Sequence, residues 1–115
     1  MEPYKKIANL LWETSSSNHA STAKLDIMPK NVNKLLVANR GEIALRVVRT
    51  AREMWIPTVA VYAEQDRHAQ YVQMADDAYL LSGDTYKDTY LNEDLLIDIL
   101  QRSGADAVHP GYGFL

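Results

Sequence analysis

The sequence predicts an α/β domain in which helices cover both faces of a parallel sheet. Short apolar runs of strand length alternate with longer segments whose apolar residues recur at helical spacing, and Gly, Pro or Asn separates them. Strands that are apolar throughout are buried on both faces, which is typical of parallel sheets. The alternation places a helix between successive strands. The length of 115 residues allows one such domain.

The first strand and the first helix are predicted from residues 35–54. Leu35–Ala38 is an apolar run of strand length, and the polar Asn39 follows it. Asn39 is a candidate helix cap, because Glu42 three residues later can reach back to its backbone amide. Gly41 allows a tight turn between strand and helix. The apolar face of this helix consists of Ile43, Ala44, Val47, Val48, Ala51 and Met54, where the helix is expected to end.

The opposite face of this helix is charged. It carries Arg46, Arg49, Arg52 and Glu53, and Leu45 lies among these side chains. An apolar side chain in a charged surface can mark a patch that faces a partner. We therefore expect Leu45 to be exposed.

Three elements are predicted in the middle of the chain. A second strand is expected at Thr58–Tyr62, which is β-branched and apolar. A short helix is expected at His68–Met74 and a third strand at Ala78–Leu81. The segment Ser82–Thr89 contains glycine and aspartate and is predicted to be a loop.

The last predicted helix begins at Asn92 and ends at Gly104. Asn92 can cap its first turn, and Gly104 can adopt the left-handed conformation that ends many helices. A fourth strand is expected at Asp106–Val108. The buried face of the helix is expected to consist of Leu95, Leu96, Ile99 and Leu100.

Composition excludes several classes of function. The chain has 12 Lys and Arg against 15 Asp and Glu, a net charge of -3, which argues against a surface for nucleic acid or anionic membrane. Because there is no cysteine, there is no disulfide, thiolate metal site or cysteine nucleophile. No apolar run approaches the roughly 18 residues needed to cross a bilayer. We expect no nucleic-acid or membrane partner.

Residues 1–32 are predicted to be a flexible leader, and residues 33–115 the folded domain. The leader contains a candidate amphipathic helix at Tyr4–Glu13 and a polar linker at Ser15–Thr22. A mitochondrial transit peptide is rich in arginine and poor in acidic residues. Here the first arginine is Arg40, and three acidic residues precede it. These features predict a cytoplasmic protein.

The turn around Gly41 does not match a dinucleotide-binding turn. Such a turn requires several glycines after the first strand, and Gly41 is alone there. Glu64 and Asp66 do follow the second strand, as a ribose-binding acid would. The favoured interpretation of Gly41 and Glu42 is a tight turn and a helix cap.

Other common sites lack support in the residue pattern. Ser82 is not flanked by the glycines of a nucleophile elbow. Asp76 and Asp77 are adjacent on a strand and should point to opposite faces, which separates their carboxylates. The histidines are His19, His68 and His109. No two of them have the spacing along one helix that a metal-binding pair requires.

The segment His109–Leu115 has the most unusual composition in the chain. Gly111 and Gly113 flank Tyr112 directly after a predicted strand and a proline. The glycines allow the backbone to approach a ligand closely, and the tyrosine ring offers a flat surface that can pack on it. The same residues also fit a glycine-rich turn that leads into a further element. The residue pattern leaves both interpretations open.

From Val32 to Leu115 the chain resembles the start of biotin carboxylase. The most specific segments are ANRGEIA at residues 38–44 and HPGYGFL at residues 109–115. Further matching segments lie between them, at Thr58–Tyr62, Ala75–Ala78 and Tyr90–Asn92. All of them occur in the family's order and at its spacing.

The resemblance implies a Rossmann-like pre-ATP-grasp domain that is incomplete at its C-terminal end. Biotin carboxylase is the component of acetyl-CoA, propionyl-CoA and pyruvate carboxylases that makes carboxyphosphate from ATP and bicarbonate and carboxylates biotin, with magnesium required. The family's catalytic residues lie in a later domain. We therefore expect no catalytic residue and no metal ligand in this chain, and no stable binding of biotin, ATP or magnesium by these residues alone.

The resemblance also implies positions for two groups of residues. Gly111, Tyr112 and Gly113 would form a loop near biotin. The helix that carries Leu45, Arg46, Arg49 and Glu53 would lie at a homodimer interface.

The implied partners are a second carboxylase chain, a biotin carrier domain and a carboxyltransferase subunit. An alternative from a different class is a non-catalytic module. It would pair with a full-length carboxylase through Arg46, Arg49 and Glu53.

Trp55 departs from the family pattern, because the family usually has a helix-ending glycine at this position. A non-glycine residue in a left-handed position costs about 1 kcal/mol or more. We expect either a different helix end or a slightly destabilised domain. The strand at Asp106–Val108 would form an unprotected sheet edge.

Overall fold

The computed structural model describes residues 31–114. The predicted leader, residues 1–32, lies almost entirely outside the described residues. The same holds for its expected helix at Tyr4–Glu13 and its expected linker at Ser15–Thr22.

Four parallel strands form one sheet in the order β3-β2-β1-β4. In its register, Leu36 pairs with Val59 on one side and with Val108 on the other. The predicted parallel α/β architecture is confirmed, with β4 at a sheet edge. The strands are β1 (Leu35–Val37), β2 (Thr58–Ala63), β3 (Asp77–Leu81) and β4 (Ala107–His109), and the helices between them are α1 (Gly41–Glu53), α2 (Gln70–Met74) and α3 (Glu93–Ser103).

Two hydrophobic cores lie on opposite faces of the sheet. Adjacent residues of a strand point to opposite faces, so the continuous apolar runs of β1 and β2 contribute to both cores. The core under α3 contains Leu36, Val59, Val61, Ala63, Leu81, Tyr90, Leu96, Ile99 and Leu100. The core under α1 and α2 contains Val37, Ala44, Leu45, Val48, Ala60 and Tyr71.

Leu45 is buried, which contradicts the predicted exposed position. Only 6% of this residue is accessible, and it packs in the core under α1 and α2. The reason is that α1 packs against α2 as well as against the sheet. A wider part of its surface is therefore buried than the single apolar face predicted from the sequence. Met54 was predicted on the buried face, but it follows the last residue of α1 and is 62% exposed.

Trp55 and Gly104 adopt the same left-handed backbone conformation just after α1 and α3. The φ angle is 60° at Trp55 and 74° at Gly104. Gly104 ends α3 as predicted, whereas Trp55 carries a side chain in a conformation that favours glycine. Asn92 caps α3 as predicted, since its Oδ1 accepts a hydrogen bond from the amide of Leu95 at 3.1 Å.

The adjacent carboxylates of Asp76 and Asp77 have separate structural roles. Asp76 accepts a hydrogen bond from the backbone amide of Thr58 at 2.8 Å, which fixes the start of β2. Asp77 forms an ion pair with Lys34 at 3.2 Å. The two carboxylates therefore do not share a proton. This agrees with the separation predicted from their adjacent positions.

Candidate functional site

The carboxyl ends of the parallel strands form one edge of the sheet, where three segments of the chain meet. Residues 38–41 follow β1, a short 3-10 turn at Glu64–Asp66 follows β2, and residues 110–114 follow β4. Ligands bind at this edge in open parallel α/β sheets. The predicted turn, the predicted acid and the glycine-rich segment thus lie at the same edge.

The side chain of Asn39 joins the segment after β1 to the segment after β4. Its amide nitrogen donates hydrogen bonds to the carbonyl oxygens of Pro110 and Tyr112, both at 2.9 Å. Its Oδ1 accepts a hydrogen bond from the backbone amide of Arg40 at 2.8 Å. The predicted cap at Asn39 is therefore wrong. Arg40 occupies the cap position of α1 and makes no side-chain cap bond.

Gly41 and Glu42 form the turn into α1. Gly41 has a φ of 62°, so the tight turn predicted at this glycine is confirmed. Glu42 does not reach back as a capping box requires. Its carboxylate pairs with Nε of Arg46 one turn later at 3.1 Å, on the exposed side of the helix.

Gly111 packs closely against the turn after β1. Its φ is 61°, and a Cβ at this position would lie 2.7 Å from Cγ2 of Ile43 and 2.8 Å from Nδ2 of Asn39. Its amide donates a hydrogen bond to Nδ1 of His109 at 3.1 Å. Both the backbone conformation and the available space therefore require glycine here.

Tyr112 is exposed, whereas the chain on either side of it is fixed by contacts with the rest of the domain. The tyrosine is 74% accessible. Phe114 stacks on Tyr90, with ring centroids 5.3 Å apart and planes 16° apart, and it meets Tyr86 edge to face at 5.2 Å. The segment thus presents the ring of Tyr112 between a hydrogen-bonded end at Asn39 and a stacked end at Phe114.

Arg40 and Asp66 form a bidentate ion pair between the ends of β1 and β2. Nε of Arg40 lies 2.7 Å from Oδ2 of Asp66, and Nη2 lies 2.6 Å from Oδ1. Hydrogen bonding from Arg40 holds the pKa of Asp66 below its usual value, and the carboxylate raises the pKa of Arg40. Two parallel bonds are the geometry in which guanidinium binds carboxylate best. Of the two acids that could have bound a ribose, Asp66 is paired with Arg40 and Glu64 with Arg67.

Two buried tyrosines connect this ion pair to the interior. Oη of Tyr90 donates to Oδ2 of Asp66 at 2.5 Å and accepts a hydrogen bond from the amide of Ala63 at 2.9 Å. Oη of Tyr71 lies 2.9 Å from the carbonyl oxygen of Val61 and 3.0 Å from Oη of Tyr90. A phenol has one hydroxyl hydrogen, so that of Tyr71 is shared between these two acceptors. Burial raises the pKa of both phenols.

The described residues at this edge do not fit magnesium or the phosphates of ATP. Phosphoryl transfer requires cations and a metal that converge on the phosphates. The two arginines near this edge, Arg40 and Arg67, are each paired with a carboxylate. Within residues 31–114, no group of three or more His, Asp or Glu side chains could hold a metal ion. What this edge offers a ligand is a shaped backbone and the ring of Tyr112.

The four residues predicted at a dimer interface differ in their exposure. Arg46, Arg49 and Glu53 lie exposed on α1, whereas Leu45 is buried in the core. The dimer interface itself stays a prediction. Among the described residues, no helix combines the length and apolar character that a membrane span requires.

Arg40, Tyr71 and Tyr90 are members of the site that the sequence analysis missed. Only 1% of each tyrosine is accessible, although neither lies in a long apolar run. Their one signal in the sequence is chemical, because a buried tyrosine hydroxyl needs a hydrogen-bond partner. Nothing local indicates that Asp66 would be that partner.

Comparison with known proteins identifies the family. The family described as "Biotin carboxylase, N-terminal domain" matches residues 31–115. Biotin carboxylase 1 of Bacillus subtilis is 52% identical over 84 residues, which is 73% of this chain and 19% of that protein. The mitochondrial methylcrotonoyl-CoA carboxylase subunit alpha of Dictyostelium discoideum is 51% identical over 90 residues, 78% of this chain and 13% of that protein.

A solved structure shows the same relationship. The biotin carboxylase domain dimer of Hydrogenobacter thermophilus 2-oxoglutarate carboxylase, in complex with magnesium ADP, ADP and bicarbonate, superimposes with a TM-score of 0.72 at 49% identity. The match covers 76% of this chain and 19% of that one. The chain therefore spans no more than about a fifth of the length of these relatives.

Proposed function

This chain belongs to the biotin carboxylase family, and we propose that it serves as the N-terminal domain of an enzyme that carboxylates biotin with ATP and bicarbonate, within an acyl-CoA or pyruvate carboxylase. The observation that carries the proposal is the match of the family's N-terminal domain to residues 31–115. The glycine-rich segment at the ligand-binding edge of the sheet supports it, because it follows β4 and exposes an aromatic ring.

In this proposal the segment from Gly111 to Gly113 forms one wall of the biotin site. The exposed ring of Tyr112 packs on the flat ureido ring of biotin, and the glycines let the backbone approach it. Bicarbonate, activated by ATP with magnesium, would supply the carboxyl group when bound elsewhere in the enzyme. This domain contributes shape and positioning.

The described residues are expected to be inactive alone. Stabilising the charge that develops in phosphoryl transfer requires positioned cations, and Arg40 is held by Asp66. The purified 115-residue chain should produce no ATP-dependent carboxybiotin. Carboxybiotin formed by this chain at the rate of an intact biotin carboxylase would overturn this assignment of roles.

A chimeric enzyme tests the proposed function. The 84-residue segment of Bacillus subtilis biotin carboxylase 1 that aligns with this chain is replaced by the matching residues, and carboxylation of free biotin is measured. The chimera should be active. Tyr112→Ala should raise the KM for biotin about fivefold and leave the KM for ATP unchanged, because one stacking contact is worth roughly 1 kcal/mol.

The matched control in the chimera is Lys87→Ala, which removes an exposed side chain from the loop after β3. It should leave both KM values unchanged. A folded chimera without activity would contradict the proposal. An unchanged KM for biotin in the Tyr112→Ala chimera would contradict the contact between Tyr112 and biotin.

We also propose that the exposed face of α1 pairs with a second carboxylase chain. Arg49 and Glu53 present opposite charges there, which suits a two-fold contact with the same face of a second copy. The related Hydrogenobacter domain is described as a dimer. Pull-down of a full-length carboxylase by this chain should be lost with Arg49→Glu. It should persist with Arg102→Glu on α3, and no pull-down at all would refute the pairing.

The same proposal extends to a biotin carrier domain and a carboxyltransferase subunit as partners. Relatives are named for methylcrotonoyl-CoA and for 2-oxoglutarate, which supports the proposal that another part of the enzyme selects the carboxyl acceptor. The relatives include mitochondrial and bacterial proteins. A cytoplasmic location stays a prediction of the sequence, which cell fractionation would test.

A further inference from the structure

We propose that Asn39 is a positioning residue for Tyr112, and that it acts together with Tyr90 as a clamp on residues 110–114. The term loop clamp denotes these two contacts, one from Asn39 to Pro110 and Tyr112 and one from Tyr90 to Phe114. Only the identity of the ligand next to the ring of Tyr112 rests on the proposed function. The clamp itself rests on contacts within the chain.

The first contact uses both N–H donors of the Asn39 side-chain amide, and its oxygen accepts a third hydrogen bond. Its two N–H groups serve the carbonyl oxygens on either side of Gly111, and its oxygen accepts the amide of Arg40. Only 2% of Asn39 is accessible, so water does not compete for these bonds. Aspartate lacks the two donors and leucine lacks all three groups. Asparagine at this position therefore fixes the segment by chemistry as well as by shape.

Gly111 makes the first contact possible. With a φ of 61° the chain reverses there, which directs the carbonyl oxygens of Pro110 and Tyr112 to a single nitrogen atom. Added bulk at Gly111 would meet Nδ2 of Asn39 at 2.8 Å and Cγ2 of Ile43 at 2.7 Å. The glycine and the asparagine are thus two halves of one contact.

The second contact fixes the other end of the segment. The ring of Tyr90 stacks on Phe114, and the hydroxyl of Tyr90 is bound to Asp66, which Arg40 holds in turn. Asn39 and Arg40 are neighbours in the chain, so the turn after β1 controls both ends of the segment. The ring of Tyr112 is 74% accessible and is placed by its backbone.

Backbone ¹⁵N relaxation on the full 115-residue chain tests the clamp. In the wild type, the order parameters of Gly111 and Tyr112 should be about 0.85, the value of rigid backbone. With Asn39→Ala they should fall below about 0.6, the range of flexible backbone. Val59 in β2 and Ile99 in α3 should keep their wild-type values, because both are buried in the core between the sheet and α3.

Asn92→Ala is the matched control. It removes an asparagine that caps α3 and so weakens the domain without touching residues 110–114. The order parameter of Tyr112 should stay at its wild-type value in this variant. An equal loss of order with Asn92→Ala would overturn the proposal, because the effect would then follow general stability.

Gly111→Ala decides the question if Asn39→Ala does not fold. It should mobilise Tyr112 through the collision with Asn39. The clamp is refuted if Tyr112 is already mobile in the wild type, or if a folded Asn39→Ala or Gly111→Ala variant keeps it ordered. An unchanged KM for biotin in the Tyr112→Ala chimera would refute the biotin contact alone, so failure of the clamp and failure of the proposed function give different results.

Discussion

The carboxylate of Asp66 is bound by the guanidinium of Arg40 through two hydrogen bonds of 2.7 and 2.6 Å, which tie the end of β2 to the end of β1. Asp66 is 7% accessible, and the Arg40 side chain is 34% accessible. The pair lies between the core and the sheet edge formed by the carboxyl ends of the strands. Its strength therefore affects both the stability of the fold and the order of the edge.

Acid should weaken the fold through Asp66. Its pKa in the folded protein is lowered from 3.8 by the hydrogen bonds of Arg40, so its contribution to the free energy of unfolding is fully present above that pH. The contribution is lost as the pH falls from about 4 toward the lower folded pKa. Urea unfolding between about pH 5 and pH 2 should therefore show a steeper loss of stability for the wild type than for Asp66→Asn.

At neutral pH, Asp66→Asn should lower the free energy of unfolding by about 2 kcal/mol, because Arg40 loses its charged partner. Asp98→Asn is the matched control, since Asp98 pairs with Arg102 on an exposed helix surface. An exposed pair of this kind is worth less than about 1 kcal/mol. An identical acid dependence of the wild type and Asp66→Asn would show that Asp66 is not the titrating group.

Tyr90→Phe should destabilise the fold more than Tyr71→Phe. The first variant removes the donor to Asp66 and leaves the amide of Ala63 without its acceptor, at a cost of about 2 kcal/mol. The second removes one shared hydroxyl hydrogen, at a cost of about 1 kcal/mol. Both variants keep the aromatic ring, so chemical denaturation isolates the hydroxyl. The reverse order of stabilities would contradict the hydrogen-bond assignment.

Trp55→Gly should stabilise the fold. The residue has a φ of 60° and is 92% exposed, so glycine relieves the left-handed strain and sacrifices little packing. The expected gain in the free energy of unfolding is about 0.5 to 1 kcal/mol, because the flexibility of glycine in the unfolded chain offsets part of the relief. Thermal unfolding measures the change.

Gly104→Ala is the reciprocal of that substitution. Gly104 ends α3 with a φ of 74°, and a Cβ there would meet no atom within 4 Å. The loss of about 1 kcal/mol expected for alanine therefore reports backbone conformation alone. If both substitutions changed stability in the same direction, the explanation by φ would be wrong.

The parts of the fold that depend on local signals could be predicted from the sequence. Asn92 and Gly104 mark the ends of α3 because a cap and a left-handed terminus depend on neighbours within a few residues. The strands β1 and β2 were predictable because their apolar runs are continuous. These signals are sufficient to predict the order of the elements and the parallel sheet.

The parts that depend on distant contacts could not be predicted. Asn39 has the local pattern of a cap, but residues 71 and 73 positions later take up its amide. Leu45 appears misplaced on α1 until α2 packs beside it. Likewise, Asp66 and Tyr90 are 24 residues apart and meet only in the folded sheet. The resemblance to a family located the segment at Tyr112, but only the structure shows what holds it.

The size of the endogenous protein tests the central claim most directly. An antibody raised against residues 32–115 is used to detect the protein in extract of its source cells. If these residues work as the N-terminal domain of a biotin carboxylase, the band should be several times heavier than the 115-residue chain, whose matched relatives are covered to only 13% and 19% of their length. A single band at the mass of the 115-residue chain would contradict the account and favour a non-catalytic module.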